Sequence, residues 1–91
     1  MKYEVKPSKK FGKDVKRLHR RGYDLSLLTE VIQLLADGCP LPAKYQDHPL
    51  EGNYAHCREC HITSDWLLIY QIHNDILLLY LTRTGTHSDV F

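Results

Sequence analysis

Long apolar runs are absent from this 91-residue sequence. The most apolar stretch, residues 66–81, is interrupted by polar residues at positions 71 and 73–75, so it is too short and too broken to span a bilayer. The N-terminal residues also lack the basic segment, followed by an apolar segment, that marks a secretory signal peptide. We therefore expect a cytoplasmic protein that does not use the membrane as a partner.

Compositional bias is also absent. Apolar residues make up 43% of the chain and charged residues 25%, which is ordinary for a folded protein and argues against disorder. The sequence contains no internal repeat and no low-complexity segment. These features predict a single domain over residues 1–91 with one modest core.

Cysteine is scarce, with only Cys39, Cys57 and Cys60 present, and an odd number cannot form a complete set of disulfides. Cys57 and Cys60 have the spacing of half a zinc site and are flanked by His56 and His61. However, the segment reads as a β-strand, in which positions three apart face opposite sides. We therefore predict reduced, partly buried thiols and no metal site.

Positive charge is concentrated at one end of the chain. Residues 1–21 carry nine basic and two acidic side chains, a net charge of +7, whereas residues 22–91 carry a net charge of −6. A basic segment of this density suits a nucleic-acid partner. A solvated helix face would have the same composition, so charge alone leaves both interpretations open.

The N-terminal half predicts a short strand and two helices. Lys2 to Lys6 is extended, and Ser8 is placed to cap a helix from about Lys9 to Arg20. Asp24 is placed to cap a second helix that ends at Asp37-Gly38. The helical spacing of apolar residues gives each helix one buried face.

The C-terminal half predicts an antiparallel meander. A proline-rich stiff loop, residues 39–52, leads into strands at Tyr54 to Ile62, Trp66 to Ile72 and Ile76 to Arg83, with polar turns between them and a polar tail after them. The fold class is therefore α+β, in the order β-α-α-β-β-β, with the two helices packed on a small antiparallel sheet.

Common nucleotide, serine-hydrolase and zinc-protease motifs are missing. Three histidines instead lie where the chain turns: His48 in the stiff loop, His61 at the end of a strand, and His87 after the last strand. Imidazole serves as general acid or base near neutral pH, and Arg83 offers a cationic fork for phosphate. This set suits metal-independent RNA cleavage, although surface histidines are also frequent in this chain: His19, His56 and His73.

Four segments, which occur in the right order and at the right spacing along the chain, resemble the YafQ branch of the RelE/ParE toxin superfamily. They are Tyr-Gln-Asp-His-Pro-Leu-Glu-Gly at 45–52, Arg-Glu-Cys-His at 58–61, Asp-Trp-Leu-Leu-Ile-Tyr at 65–70 and Arg-Thr-Gly-Thr-His at 83–87. The resemblance covers nearly the whole chain. It implies a RelE-like fold and an endoribonuclease that cleaves mRNA in the ribosomal A site without a cofactor.

The resemblance also implies roles for individual residues. His48 would be the general base and His87 the general acid, although the two roles can be exchanged. His61 and Asp65 would complete the polar catalytic site, and Arg83 would stabilise charge on phosphate. The residues expected to contact RNA are Trp66, Phe91 and Arg58.

Several of these residues have an ordinary structural interpretation. Trp66 and Tyr70 alternate with aliphatic residues as core positions do, Asp65 suits a turn, and Arg58 could pair with an acid. Glu59 stands where the family has a shorter acid. Because the chain is acidic beyond the first helix, we expect ribosome docking to depend on its basic residues: Lys9, Lys10, Lys13, Lys16, Arg17, Arg20 and Arg21.

The partners implied by the resemblance are a cognate antitoxin, in a heterotetramer, and the 70S ribosome with its 16S rRNA and mRNA. Operator DNA would be bound only through the antitoxin complex. Two alternatives remain open: a superfamily toxin that binds DNA gyrase without cleaving RNA, and an inactive antitoxin-binding co-repressor. The histidine set argues against both.

Overall fold

Two capped helices follow each other in the N-terminal half. In the computed structural model, which describes residues 1–91, α1 spans Lys9–Arg20 and α2 spans Leu25–Ala36. The Ser8 hydroxyl accepts the backbone N–H of Phe11 at 2.9 Å, and the Asp24 carboxylate accepts the N–H of Ser26 at 3.0 Å. The predicted helices and both N-caps are therefore confirmed.

A five-stranded sheet supports the helices. The strands are β1 (Glu4–Pro7), β2 (His48–Pro49), β3 (Arg58–Thr63), β4 (Trp66–His73) and β5 (Leu78–Gly85), and a short helix α3 (His87–Val90) follows them. Their order is β1-β5-β4-β3-β2, antiparallel except for the parallel pair β1 and β5. The α+β prediction is confirmed, but the sheet is mixed because β1 connects to the rest through the helices and not through a hairpin.

The two faces of this sheet are covered differently. The main core lies between the sheet and helices α1 and α2, and it includes Cys60, Leu68 and Tyr70 from neighbouring strands. A smaller cluster on the opposite face contains Cys57, Leu67, Ile69 and Val90. We call this second face, which α3 covers in part, the outer face of the sheet.

Three strands begin later than predicted. β3 begins at Arg58 and not at Tyr54, because Gly52–Tyr54 forms a 3-10 turn and His56 adopts a left-handed conformation with φ 72°. β5 begins at Leu78 because Leu77, with φ 50°, completes the preceding turn and leaves Ile76 65% exposed. β1 begins at Glu4 and not at Lys2. A strand predicted from apolar composition alone is too long where a turn exposes aliphatic residues, as at Ile76 and Leu77.

Two short elements were not predicted. β2 lies within the proline-rich loop and pairs with β3, and α3 forms within the expected polar tail. The Thr86 hydroxyl accepts the N–H of Asp89, and the Asp89 carboxylate accepts the N–H of Thr86, which is a complete capping box. None of the helices has the length and apolar composition needed to cross a membrane.

Candidate active site

The outer face brings two predicted histidines together at the β2–β3 edge. Strand alternation places Glu59 and His61 on the same side of β3 as Cys57, and the register places His48 of β2 opposite Glu59. The ring centroids of His48 and His61 are 6.1 Å apart. Ligand atoms of His48, Glu59 and His61 all lie within 4.8 Å of one another. We call these three residues the His48–Glu59–His61 cluster.

Both ring nitrogens of His48 are engaged. Nδ1 lies 2.6 Å from the backbone oxygen of Gln46, and Nε2 lies 2.9 Å from Oε2 of Glu59. A carbonyl oxygen only accepts, so Nδ1 carries a proton and Nε2 is the reactive atom. Glu59 is therefore a candidate functional residue, which sequence reasoning noted only as a departure from the family pattern.

His61 is available to a ligand. It is half-buried, makes no hydrogen bond to another residue, and borders a cleft of about 400 Å³ between the sheet edge and α2. Its position beside His48 matches the prediction that the two side chains share a site.

Sheet register relates His87 to this cluster. His61 pairs with Leu67, and Leu67 pairs with Gly85, so these three residues form one row across the sheet. Two strand spacings separate His61 from Gly85, about 10 Å. His87 follows two residues later, and Val90 of the same helix packs on Leu67 at the outer face. His87 therefore lies at the same end of the outer face as His61, although no hydrogen bond joins them.

The His87 ring lies against an aromatic pair. It stacks on Phe91 with centroids 4.7 Å apart, and Phe91 meets Tyr54 edge to face at 5.3 Å. The Tyr54 hydroxyl donates to the backbone oxygen of Val90 at 2.6 Å, which holds the end of α3 against the outer face. His87 is exposed and Phe91 is 54% exposed, so both rings are accessible to a nucleotide base.

Arg83 occupies a buried ion-pair network. Its Nε donates to Asp14 Oδ2 at 2.7 Å, and its Nη2 donates to the backbone oxygen of Asp89 at 3.2 Å. Asp14 is 1% exposed and also accepts the N–H of Thr84 at 3.1 Å. Arg83, which was predicted to contact phosphate, therefore pairs with Asp14 in the structure, and the two contacts compete for the guanidinium. The sequence did not reveal this pair because the two residues lie 69 positions apart.

Arg21 extends this network to α3. Its guanidinium donates to both carboxylate oxygens of Asp89, at 2.7 and 3.1 Å. This contact, together with the capping bonds from Thr86, holds the pKa of the Asp89 carboxyl well below its usual range. The ion pairs of Arg83 and Arg21 therefore attach the helix that carries His87 to α1.

The structure corrects the expectation for Trp66. The ring is 2% exposed on the helix-covered face, where its Nε1 donates to Thr84 Oγ1 at 2.9 Å and it packs edge to face on Tyr23. Burial of this kind prevents direct contact with RNA, so the core interpretation holds. Asp65 is exposed in the turn between β3 and β4 and makes no hydrogen bond through its side chain; its catalytic role stays a prediction.

Arg58 faces away from the histidines. It lies on the helix-covered side of β3 and pairs with Asp47 at 3.0 Å, an acid that also accepts the Tyr70 hydroxyl. Burial and this contact with Asp47 raise the pKa of the Tyr70 hydroxyl. Of the two interpretations left open for Arg58, the structure favours pairing with an acid over contact with RNA.

The cysteines do not form a metal site together. Cys57 lies in the outer-face cluster and Cys60 in the main core, so their thiols point to opposite sides of β3, as predicted. Burial raises the pKa of the Cys60 thiol to about 12, and the protonated thiol is a poor metal ligand.

Most of the basic residues of α1 are free. Arg17 pairs with Asp14, and Arg21 pairs with Asp89. The others are exposed and make no ion pair: Lys9, Lys10, Lys13, Lys16 and Arg20. Lys9 and Lys10 line an open groove of about 510 Å³ together with Tyr54 and Arg83. Since Tyr54 also contacts Phe91, this cationic groove leads toward His87.

Comparison with known proteins finds bacterial toxins of similar sequence. The family model for the bacterial toxin of type II toxin–antitoxin systems, YafQ, matches residues 3–91. The mRNA interferase toxin YafQ of Escherichia coli K12 is 39% identical over 89 residues, covering 97% of this chain and 95% of the relative.

Solved structures give the same result. A metal-bound toxin from Helicobacter pylori is 47% identical and superposes with a TM-score of 0.91 over 98% of this chain and 99% of the other. YafQ in the E. coli DinJ–YafQ complex is 39% identical, with a TM-score of 0.89 over 98% of both chains.

Proposed function

This chain belongs to the YafQ family of bacterial toxins from type II toxin–antitoxin systems, and on that basis we propose that it is an endoribonuclease that cleaves mRNA in the ribosomal A site. The observation that carries the proposal is the placement of three histidines on one face of the sheet. His48 and His61 adjoin at one edge, and the sheet register brings His87 to the same end. No other region of the chain gathers acid–base groups in this way.

The reaction is transfer of a phosphoryl group within the RNA. The ribose 2′-oxygen attacks the adjacent phosphorus, the bond to the 5′-oxygen breaks, and the products are a 2′,3′-cyclic phosphate and a free 5′-hydroxyl. A base takes the 2′-proton and an acid gives a proton to the departing 5′-oxygen, each contributing about 10²–10⁴-fold. Neither step requires a metal ion.

His48 is assigned as the base and His87 as the acid. The Gln46 carbonyl fixes a proton on Nδ1 of His48, which leaves Nε2 to receive the 2′-proton. The Glu59 carboxylate at 2.9 Å stabilises the imidazolium that results. His61 and Asp65 complete the polar surface beside the scissile phosphate. In the free protein Oε2 of Glu59 faces Nε2, so the 2′-hydroxyl of bound RNA takes the place of Oε2 at this nitrogen while the carboxylate stays beside the ring.

The RNA path follows the cationic groove. Lys9, Lys10 and Arg83 provide positive potential along it, and Phe91 offers an exposed ring for stacking a base. The free lysines of α1 and Arg20 dock on 16S rRNA in the 70S ribosome. Ribosome binding in the cytoplasm supplies the ordered mRNA substrate that the small site needs.

A cognate antitoxin neutralises the toxin. E. coli YafQ forms a complex with DinJ, and an antitoxin segment of acidic character would cover the basic side of α1 in this chain. We propose a heterotetramer in which the antitoxin makes the dimer contact and also binds operator DNA.

Induced expression with mapping of mRNA ends tests the proposal. Wild type should arrest growth and produce cuts in frame on translated messages, whereas His48→Ala and His87→Ala should abolish both effects. His19→Ala, a surface histidine of α1, is the matched control and should behave as wild type. Growth arrest that persists in both variants without RNA cuts would refute the nuclease and favour a toxin that binds DNA gyrase. A wild type that arrests nothing would instead favour an inactive co-repressor.

A further inference from the structure

A small cavity of about 250 Å³ lies at the α3 end of the candidate active site. Five residues line it: Glu51, Asn53, Tyr54, Val90 and Phe91. The rings of Tyr54 and Phe91 meet at 85°, so a flat ring can stack on one of them and touch the other at its edge. Pockets for drug-sized ligands measure roughly 300–1,000 Å³, so this smaller cavity suits a single nucleobase.

The two polar residues of this cavity have no partner within the protein. Glu51 and Asn53 are exposed, and neither side chain makes a hydrogen bond or an ion pair. Gly52 between them adopts φ 68°, a left-handed turn beside which both side chains line the same cavity. An acid beside an RNA path repels phosphate. A carboxylate at this place therefore favours RNA binding only by accepting hydrogen bonds from a base.

Guanine is the base whose edge fits a carboxylate. A carboxylate only accepts hydrogen bonds, and guanine presents two adjacent donors, N1–H and the 2-amino group, that match its two oxygens. Adenine, cytosine and uracil each place an acceptor beside their donor, and that acceptor repels a carboxylate. The O6 atom of guanine lies next to N1–H and accepts an N–H from an amide such as that of Asn53.

The position of His87 identifies the nucleotide whose base reaches the cavity. The His87 ring stacks on Phe91 with centroids 4.7 Å apart, and Phe91 forms one wall of the cavity. As the proposed acid, His87 gives its proton to the departing 5′-oxygen. This oxygen belongs to the nucleotide on the 3′ side of the broken bond, so the base of that nucleotide lies next to the cavity.

From this geometry we infer that Glu51 and Asn53 select guanine at the nucleotide that follows the cleaved bond in mRNA. Glu51 accepts from N1–H and the 2-amino group, Asn53 donates to O6, and the base stacks in the corner formed by Tyr54 and Phe91. The inference rests on the proposed function, because it takes His87 as the acid of RNA cleavage. It adds a base preference to a reaction that the acid–base groups alone would perform at any sequence.

Cleavage on programmed 70S ribosomes tests the preference, with four messages that differ only in the base after the mapped cut. Wild type should cleave the guanine message with a kcat/KM at least about 10-fold above the other three. Inosine, which lacks only the 2-amino group of guanine, should lose part of this advantage. In Glu51→Gln most of the advantage should be lost, and guanine and inosine should then be cleaved at similar rates. Glu4→Gln on the far edge strand β1 is the matched control and should behave as wild type.

Two results would overturn the inference. One is equal cleavage of the four messages by wild type, or a preference that is unchanged in Glu51→Gln. The other is faster cleavage of all four messages by Glu51→Gln in equal proportion, because the carboxylate would then only repel phosphate. Far-ultraviolet circular dichroism confirms that each variant is folded.

Nuclear magnetic resonance titration of the isotope-labelled chain with guanosine 5′-monophosphate tests the cavity without cleavage. Amide shifts at residues 51–54 and 90–91 should exceed those caused by adenosine 5′-monophosphate, and Glu51→Gln should remove the difference. Equal shifts with both nucleotides, or none at these residues, would overturn the cavity as a guanine site. If wild type cleaves none of the messages, the proposed function fails, while the titration still decides whether the cavity selects guanine.

Discussion

The two ends of the candidate active site hold their histidines by different means. At the β2–β3 edge, His48 is fixed directly by a backbone carbonyl and by the buried Glu59. At the α3 end, His87 makes no hydrogen bond through its ring, and its position depends on what holds the short helix. Those attachments are the capping box, the ion pair of Asp89 with Arg21, and the packing of Val90.

Because of this difference, we expect substitutions at the two ends to affect different properties, activity at one end and stability at the other. In the proposed reaction, groups at the β2–β3 edge act on protons and phosphate, so their loss should reduce activity more than stability. The ion-pair network of Asp14, Arg83, Arg21 and Asp89 joins α3 to α1. Its loss should lower the free energy of unfolding first and reduce activity as a consequence. Substitutions at both ends can therefore test whether the β2–β3 edge mainly affects activity and the α3 end mainly affects stability.

The largest expected effect is on catalysis at His61. His61→Ala should lower the rate of RNA cleavage about 10²–10³-fold, because it removes the imidazole that stabilises charge beside the scissile phosphate. Its free energy of unfolding should change by less than about 1 kcal/mol, since the ring makes no hydrogen bond. Single-turnover cleavage on programmed ribosomes and urea denaturation measure the two quantities. His73→Ala, outside the site, is the control, and equal cleavage by the two variants would refute the role of His61.

The next largest effect is on stability at Asp14. Asp14→Ala should lower the free energy of unfolding by about 3–5 kcal/mol, because it leaves the mostly buried Arg83 guanidinium without its partner. Urea denaturation provides the measurement. The control is Asp75→Ala in an exposed turn, which should change stability by less than about 0.5 kcal/mol. A loss below about 1 kcal/mol for Asp14→Ala would contradict the anchoring role.

A smaller effect is expected at Phe91. If its exposed ring stacks a base, Phe91→Ala should weaken binding of the transition state by about 1–3 kcal/mol, seen as a kcat/KM lower by roughly 5- to 150-fold. Phe91→Tyr keeps an aromatic face and should retain most of the activity. Equal losses in both variants would contradict a stacking role, because the tyrosine ring offers the same aromatic face.

The sequence predicted the helices well because their signals are local. Ser8 and Asp24 lie next to the backbone groups that they cap, and apolar periodicity marks the buried faces. β2 was missed because two residues of a proline-rich loop become a strand only by pairing with β3. The helix α3 was missed although Thr86 and Asp89 have the spacing of a capping box, which a closer examination of the tail would have found.

The candidate site was predictable as a set of residues but not as a set of contacts. The resemblance identified His48, His61 and His87, whereas the approach of Glu59 to His48 depends on strand register. The partner of Arg83 depends on the packing of α1 against β5, which no local pattern encodes. Trp66 was misassigned because period-two alternation does not tell which face of a sheet the helices cover.

The smallest effect concerns pH and distinguishes the α3 end from the β2–β3 edge. The pKa of Asp89 lies well below its usual range because Arg21 and Thr86 bind the carboxylate. A depressed pKa contributes stability that is fully present above about pH 4, near the unfolded value, and is lost as the pH falls further. Because solvent screens the Arg21 contact, this contribution should be below about 1 kcal/mol.

Asp89→Asn should therefore be less stable than wild type at about pH 6, and the difference should shrink at about pH 3, where the unfolded wild-type chain binds a proton at Asp89 that the folded chain does not. Urea denaturation at both values measures the difference. Asp75→Asn should show a difference near zero at both. A gap for Asp89→Asn that does not change with pH would contradict the depressed pKa of Asp89. The attachment of His87 would then depend on the capping box and the packing of Val90 and not on charge.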